Sequence, residues 1–193
     1  MNKSFFSALA LVLIAGIMSL SVTSCIDGKE DEKKDTMEAL CHVLVSEDVL
    51  KVADITVHYF DANGEEATEQ MKSTEWKKTW TTTKLPAKVG VWAQITPKNV
   101  GGSENYQLKA VATAAYIFHT ADGKEWADGN TDGNPQAEAE TVNASNIAQW
   151  CSNAPEVRFE VDNQGLCIYS GGNNAFCEWV MNLFGYALSL CYI

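Results

Sequence analysis

Positive charge is scarce in this chain. Fourteen Lys and Arg stand against 25 Asp and Glu, a formal net charge of −11. Such a surface repels nucleic acid and anionic membrane surfaces, so a nucleic-acid function is excluded. It suits solubility, calcium-rich surroundings or basic partners. Catalytic signatures are missing too: the chain has no G-x-S-x-G, no H-E-x-x-H, no phosphate loop and no dinucleotide fingerprint. Its three histidines, His42, His58 and His119, fall on three separate predicted strands without ligand spacing. Carboxylate pairs abound in any chain this acidic and discriminate nothing. The six cysteines include no C-x-x-C and no metal-finger spacing, and no internal repeat is evident. The chain therefore reads as a non-enzyme.

The start of the chain is more informative. Residues 1–24 carry one charge, Lys3, then an apolar block from Phe5 to Leu20 and a run of small residues. A basic start, a short greasy middle and a small-residue exit make a secretory signal peptide. The block of 16 residues falls short of the roughly 20 that a helix needs to cross a bilayer. Val22-Thr23-Ser24-Cys25, a branched apolar residue, two small ones and Cys, resembles the lipobox of bacterial lipoproteins. The resemblance implies cleavage before Cys25, a diacylglycerol on its thiol and acylation of the new amine. One acyl chain binds a membrane marginally, at about 0.8 kcal/mol per buried methylene, whereas two or three hold firmly.

Residues 25–37 form the next segment, with acids at Asp27, Glu30, Asp31, Glu32 and Asp35 among lysines. So dense a mixture of charge buries no face and reads as a solvated tether. It resembles the acidic export signal of outer-surface lipoproteins of the Bacteroidota. That resemblance implies a lipid anchor in the outer membrane with the domain at the cell surface; a plain linker facing the periplasm is the alternative. Asp35-Thr36-Met37 is similar to the short O-glycosylation site of the same bacteria. Loss of residues 1–24 removes Lys3 and no acid, so the mature charge becomes −12.

Residues 38–165 read as one β domain. Ala39–Val45 is nearly all apolar, as a buried strand is. Ile55, Val57 and Tyr59 alternate with polar residues, and Asp61-Ala62-Asn63-Gly64 supplies a hairpin turn into Ala67–Met71. Lys72–Lys84 gives a strand with Trp76, Lys78, Trp80 and Thr82 on one side, broken by Leu85-Pro86-Ala87. Val89, Val91, Ala93 and Ile95 mark the next, stopped by Pro97. After a flexible loop, Tyr106 to Phe118 alternates as one long strand closed by Ala121-Asp122-Gly123. Residues 127–140 read as a polar loop, and Thr141–Asn153 as one short helix capped by Asn143 or Ser145. Val157, Phe159 and Val161 then lead to the turn Asn163-Gln164-Gly165. Seven or eight strands with regular turns predict a mainly β fold, an immunoglobulin-like β-sandwich, with a closed barrel as the alternative.

Residues 166–193 differ from the rest, with a single charge, Glu178, and an apolar stretch from Phe176 to Ile193. A segment apolar all round belongs in a core or in lipid. A core or capping helix is the first reading; a reading-frame slip near residue 165 is the other. With Cys25 lipidated, Cys41, Cys151, Cys167, Cys177 and Cys191 remain, an odd number that fixes no pairing.

Two constellations suggest ligands. Asp128, Asn130 and Asp132, closed by Gly133, place oxygens at every second position, as a calcium loop does; its twelfth position is Ala139, flanked by Glu138 and Glu140. Trp76, Trp80 and Trp92 predict an aromatic platform for sugar rings. The chain as a whole reads as a membrane-anchored lipoprotein with a non-catalytic binding or assembly module, its partner a polysaccharide or a protein. The alternatives are a glycan-binding accessory of a nutrient-uptake system and a fimbria-like or adhesive subunit.

Overall fold

The computed structural model describes residues 34–168, in which two antiparallel sheets pack face to face. The first (sheet A) runs β4 (Glu75–Thr82), β1 (Thr36–Val45), β7 (Ala110–His119), β8 (Glu125–Asp132). The second (sheet B) runs β11 (Cys167–Ile168), β10 (Glu156–Val161), β5 (Ala87–Pro97), β2 (Ala53–Phe60), β3 (Glu66–Met71). A ribbon of β6 (Asn105–Leu108) and β9 (Glu140–Asn143) sits at one end with two short helices, α1 (Glu47–Val52) and α2 (Ile147–Cys151). The expected β-sandwich is borne out, and the sheets do not close into a barrel.

Alternation builds the core. From sheet A, Met37, Ala39, Cys41 and Val43 of β1 and Ala112, Ala114, Tyr116 and Phe118 of β7 point inward. From sheet B they meet Ile55 and Val57 of β2, Val89 and Val91 of β5, and Phe159 of β10. Burying each Val, Ile, Met or Phe among them contributes about 1.5–3 kcal/mol, and each Ala less.

Three hairpins turn alike. In Asp61–Glu65, Thr120–Lys124 and Asp162–Leu166, the fourth residue is a glycine at positive φ (Gly64 78°, Gly123 86°, Gly165 75°). Its N–H donates to the carbonyl of the first residue, and the first residue's N–H to the carbonyl of the fifth. The first residue's side chain also accepts from the fifth residue's N–H in each case. This is a type I turn with a glycine bulge. All three turns fall at the end of the sandwich where β1 begins; Asp35 Oδ1 accepts from Ala121 N–H there at 2.7 Å. The helices and the β6–β9 ribbon occupy the opposite end.

Five expectations need correction. The stretch from Tyr106 to Phe118 is two strands, not one. Ser46 Oγ donates to the Gln107 carbonyl (2.7 Å) and accepts from Lys109 N–H (3.1 Å), and Asp48 accepts from Gln107 N–H (2.8 Å). These side chains at the start of α1 take over the backbone groups of a sheet ladder, so β6 leaves sheet A and pairs with β9. Residues 127–132, read as loop, complete edge strand β8. Among the described residues eleven strands form rather than seven or eight, since β6, β9 and β11 have four residues or fewer and carry no legible period. A second helix, α1, was not expected; α2 lies where one was, preceded by a 3₁₀ turn whose cap is Asn143. Strand β1 also starts at Thr36, inside the expected tether, and Met37 is fully buried. Cys25 and most of the apolar tail lie outside the described residues, as do Cys177 and Cys191.

The Asp162–Gly165 turn belongs to the core. The Gly165 carbonyl accepts from Tyr116 Oη–H at 2.9 Å and from Trp126 Nε1–H at 2.8 Å, and the Phe118 ring lies beneath it. A Cβ on Gly165 would come within 2.5 Å of Phe118 Cγ. Gly165→Ala therefore combines a left-handed backbone with overpacking and is expected to destabilise the domain by about 2–4 kcal/mol in urea titrations. A change under about 0.5 kcal/mol would show that this turn does not seal the sandwich.

Candidate functional site

Strand direction separates the three tryptophans. Trp76 and Trp80 come from edge strand β4 and point between the sheets, opposite Val43 and Ala39 of β1. Trp76 is buried, its ring against Tyr59 at 5.1 Å. Trp80 is half-buried against the core, and its buried Nε1–H has no acceptor among the described residues. Trp92 sits on β5 with its side chain on the other face of sheet B, turned to solvent. No common platform joins the three.

Around Trp92 the outer face of sheet B gathers one row of side chains across three strands. His58 of β2, its direct cross-strand neighbour, stacks on the indole at 5.3 Å and 17°. From β10, on the other side, the Arg158 guanidinium lies over the indole at 3.6 Å from the ring centroid. Arg158 stands opposite Gly90, and a Cβ there would meet Arg158 Cγ at 3.1 Å and the Val157 carbonyl at 2.9 Å. The missing side chain is what lets Arg158 lie across β5 to reach Trp92. Carboxylates fix both ends of the row: Glu66 Oε1 is 2.9 Å from His58 Nδ1, and Glu156 Oε1 is 2.9 Å from Arg158 Nε. Gln94 Oε1 lies 3.3 Å from His58 Nε2, Phe60 tilts against Trp92 at 5.5 Å, and Lys88 stands over Phe60. The result is an amphipathic strip of aromatic and cationic groups held upright on a sheet, of the residue types that dominate protein interfaces. With His58 and Arg158 against the indole, Trp92 offers solvent its edge more than a free face.

Comparison with protein-family models, with curated proteins and with solved structures gives no match. The site is therefore argued from its own geometry.

The calcium-loop residues fall on β8. Asp128, Asn130 and Asp132 stand opposite Tyr116, Ala114 and Ala112, each about 6.6 Å from the next along an extended strand. The segment runs straight rather than wrapping a cation, and no cluster of three metal-ligating acids, histidines or cysteines occurs among the described residues. Burial raises the Asp128 carboxyl above its ordinary value, and Asp132 Oδ2 accepts from Glu156 N–H at 2.9 Å. Inward carboxylates on an edge strand discourage pairing with another chain.

A groove of about 280 Å³ opens where β3 ends short of β2, between Leu50 of α1, Ile55 and Met71. Its Lys98 ammonium is already committed to the Leu50 carbonyl (2.9 Å) and Asp54 (3.2 Å). Cys41 and Cys151 are buried free thiols; burial pushes Cys41 up to about 12, which makes it a poor nucleophile.

The densest ionisable cluster is a seam. Glu69 of β3 accepts from Lys78 Nζ (2.6 Å) and Trp76 Nε1–H (2.9 Å) of β4, and from Tyr59 Oη–H of β2 (2.9 Å). Lys78 first, then Trp76, hold its carboxylate near 2. A carboxylate lowered on folding stabilises the fold above its ordinary value of 4.5, and that contribution disappears as pH falls through the folded value. Glu69→Gln is thus expected to lower the melting temperature by a few degrees near neutral pH, discounted for its partial exposure. The gap between the two proteins should close as pH falls from about 5 to about 2. A gap independent of pH would mean that the charge on Glu69 does not hold the edges together.

Proposed function

We propose that this protein is an exported, lipid-anchored binding module that recognises a protein partner through the outer face of sheet B. The observation that carries the reading is Trp92, a large aromatic kept on a solvent-facing surface between His58 and Arg158. Tryptophan and arginine are enriched among residues that dominate interface energies, and a side chain already fixed loses little freedom on binding. Two aromatic rings, Trp92 and Phe60, lie there beside two cations, Arg158 and Lys88. The glycan-binding alternative loses its three-ring platform, since Trp76 and Trp80 face inward. Anchoring rests on Val22-Thr23-Ser24-Cys25 and the charged segment after it.

Each half has its own test. Cells fed labelled palmitate are expected to label the intact chain and not Cys25→Ala, which leaves the membrane fraction; a labelled Cys25→Ala protein, or one still membrane-bound, contradicts the anchor. For the surface, benzophenone placed at Lys88 on living cells is expected to give one discrete adduct with another protein. Trp92→Ala should cut that adduct at least about tenfold while changing stability by under about 1 kcal/mol. No adduct, or one indifferent to Trp92→Ala, rejects this face.

A further inference from the structure

Two open sheets have four edges, and three of these are closed or acidic. In β8 the register with β7 turns the N–H groups of Gly129 and Thr131 toward the free side. There Asp128 Oδ1 and Asn130 Oδ1 accept from them at 2.7 and 2.8 Å. On β10 the outward N–H of Glu156 goes to Asp132 Oδ2 (2.9 Å), and Glu160 pairs with Ile168 of β11. Strand β3 is open over six residues but carries Glu66 and Glu69. Occupying or charging an edge in these ways deters the addition of another strand.

Strand β4 differs. Val45 N–H donates to the Thr74 carbonyl at 2.9 Å, so in the alternating antiparallel ladder Trp76, Lys78, Trp80 and Thr82 exchange bonds with β1. The N–H and C=O groups of Lys77, Thr79 and Thr81 therefore point the other way, where no described strand pairs with them. All three residues are exposed. The strand is eight residues long and rich in Thr and Trp, which suit extended backbone. Lys78 and Trp76 are tied to Glu69 of β3, so this edge is held in place before anything docks on it.

Charge names the occupant. Residues 72–88 hold five lysines, Lys72, Lys77, Lys78, Lys84 and Lys88, and one acid, Glu75, in a chain of net charge −11. Lys77 stands exposed with no ion pair among the described residues. Lys84, just past the strand, bonds a neutral partner, Asn63 Oδ1, at 3.0 Å. Lysines along an edge repel a second copy of the same strand and attract carboxylates. We propose that the free edge of β4 accepts an extended acidic segment of a partner protein as a fifth strand of sheet A. Main-chain bonds to Lys77, Thr79 and Thr81 hold it, and its carboxylates at alternate positions lie beside the Lys77 ammonium and the Thr hydroxyls. This edge belongs to the other sheet from the Trp92 strip and does not depend on it.

Peptide binding to the full-length protein in detergent tests this, read by fluorescence anisotropy. The probe is a labelled heptapeptide of alternating Glu and Val. It is expected to bind at least about tenfold more tightly than its Lys/Val counterpart, and less tightly as salt rises. The acidic peptide N-methylated at every residue cannot join a ladder and is expected not to bind. In the protein, Lys77→Glu and Thr79→Pro should each weaken binding at least about tenfold; the first reverses the charge, and the second removes an outward N–H without touching the ladder to β1. Trp92→Ala should leave binding unchanged. No binding of the acidic peptide, equal binding of the basic or N-methylated one, or indifference to Lys77→Glu overturns the inference. So does a folded Thr79→Pro protein that binds normally, or a loss of binding in Trp92→Ala. If Thr79→Pro does not fold, the N-methylated peptide reads the same bonds on the unaltered protein.

Discussion

Strand β1 is the member on which the sandwich depends. It is paired along its length to β4 on one side and to β7 on the other, and its residues from Met37 to Val43 are buried apart from Glu38. A strand at that position cannot give backbone groups to water, so every N–H and C=O must find a ladder partner. The same centrality explains its composition: a residue facing either way meets apolar neighbours. Cys41 belongs to this logic, as a small buried thiol whose Sγ donates to the Gly90 carbonyl across the core at 3.4 Å.

Apolar burial draws the sheets together but leaves their edges undefined, and polar groups finish the work there. At one edge, Glu69 takes three donors from two other strands and links β3 to β4. At the other, the Gly165 carbonyl takes two aromatic donors and seats the last turn on Phe118. Each closure puts a hydrogen bond where the apolar area has run out. The exposed carboxylate contributes modestly because water competes for it. The Gly165 contacts are shielded by rings and resist substitution more strongly.

The two outer surfaces differ in chemistry. On sheet B, Arg158, Trp92 and His58 form a charged aromatic strip whose ends are anchored by Glu156 and Glu66. On sheet A, the outward positions of β1 and β7 include the apolar Leu40 and Ile117, both buried.

Local signals in the sequence were sufficient for most strands and for the position of all three tight turns, but not for the return strands β8 and β11. Alternation at Ile55, Val57 and Tyr59 or at Val157, Phe159 and Val161 is a property of one strand, and a glycine in the fourth turn position is a property of five residues. Asp128 to Gly133 is ambiguous as a local pattern because the same Asp, Asn and Gly residues serve a turn, a cation loop or a polar edge strand, and the pairing of 125–132 with β7 is set by distant residues. The split at Lys109 depends on Ser46 and Asp48, about sixty positions away in the chain. Trp76, Trp80 and Trp92 look equivalent as letters; strand register alone sends two inward and one outward. Arg158 reaches Trp92 because β10 lies beside β5 with Gly90 between them, which no local pattern encodes. Period and turn are legible along the chain, since both are set by neighbours in sequence. Tertiary structure alone decided which side chains share a face, since that depends on register between strands far apart in sequence.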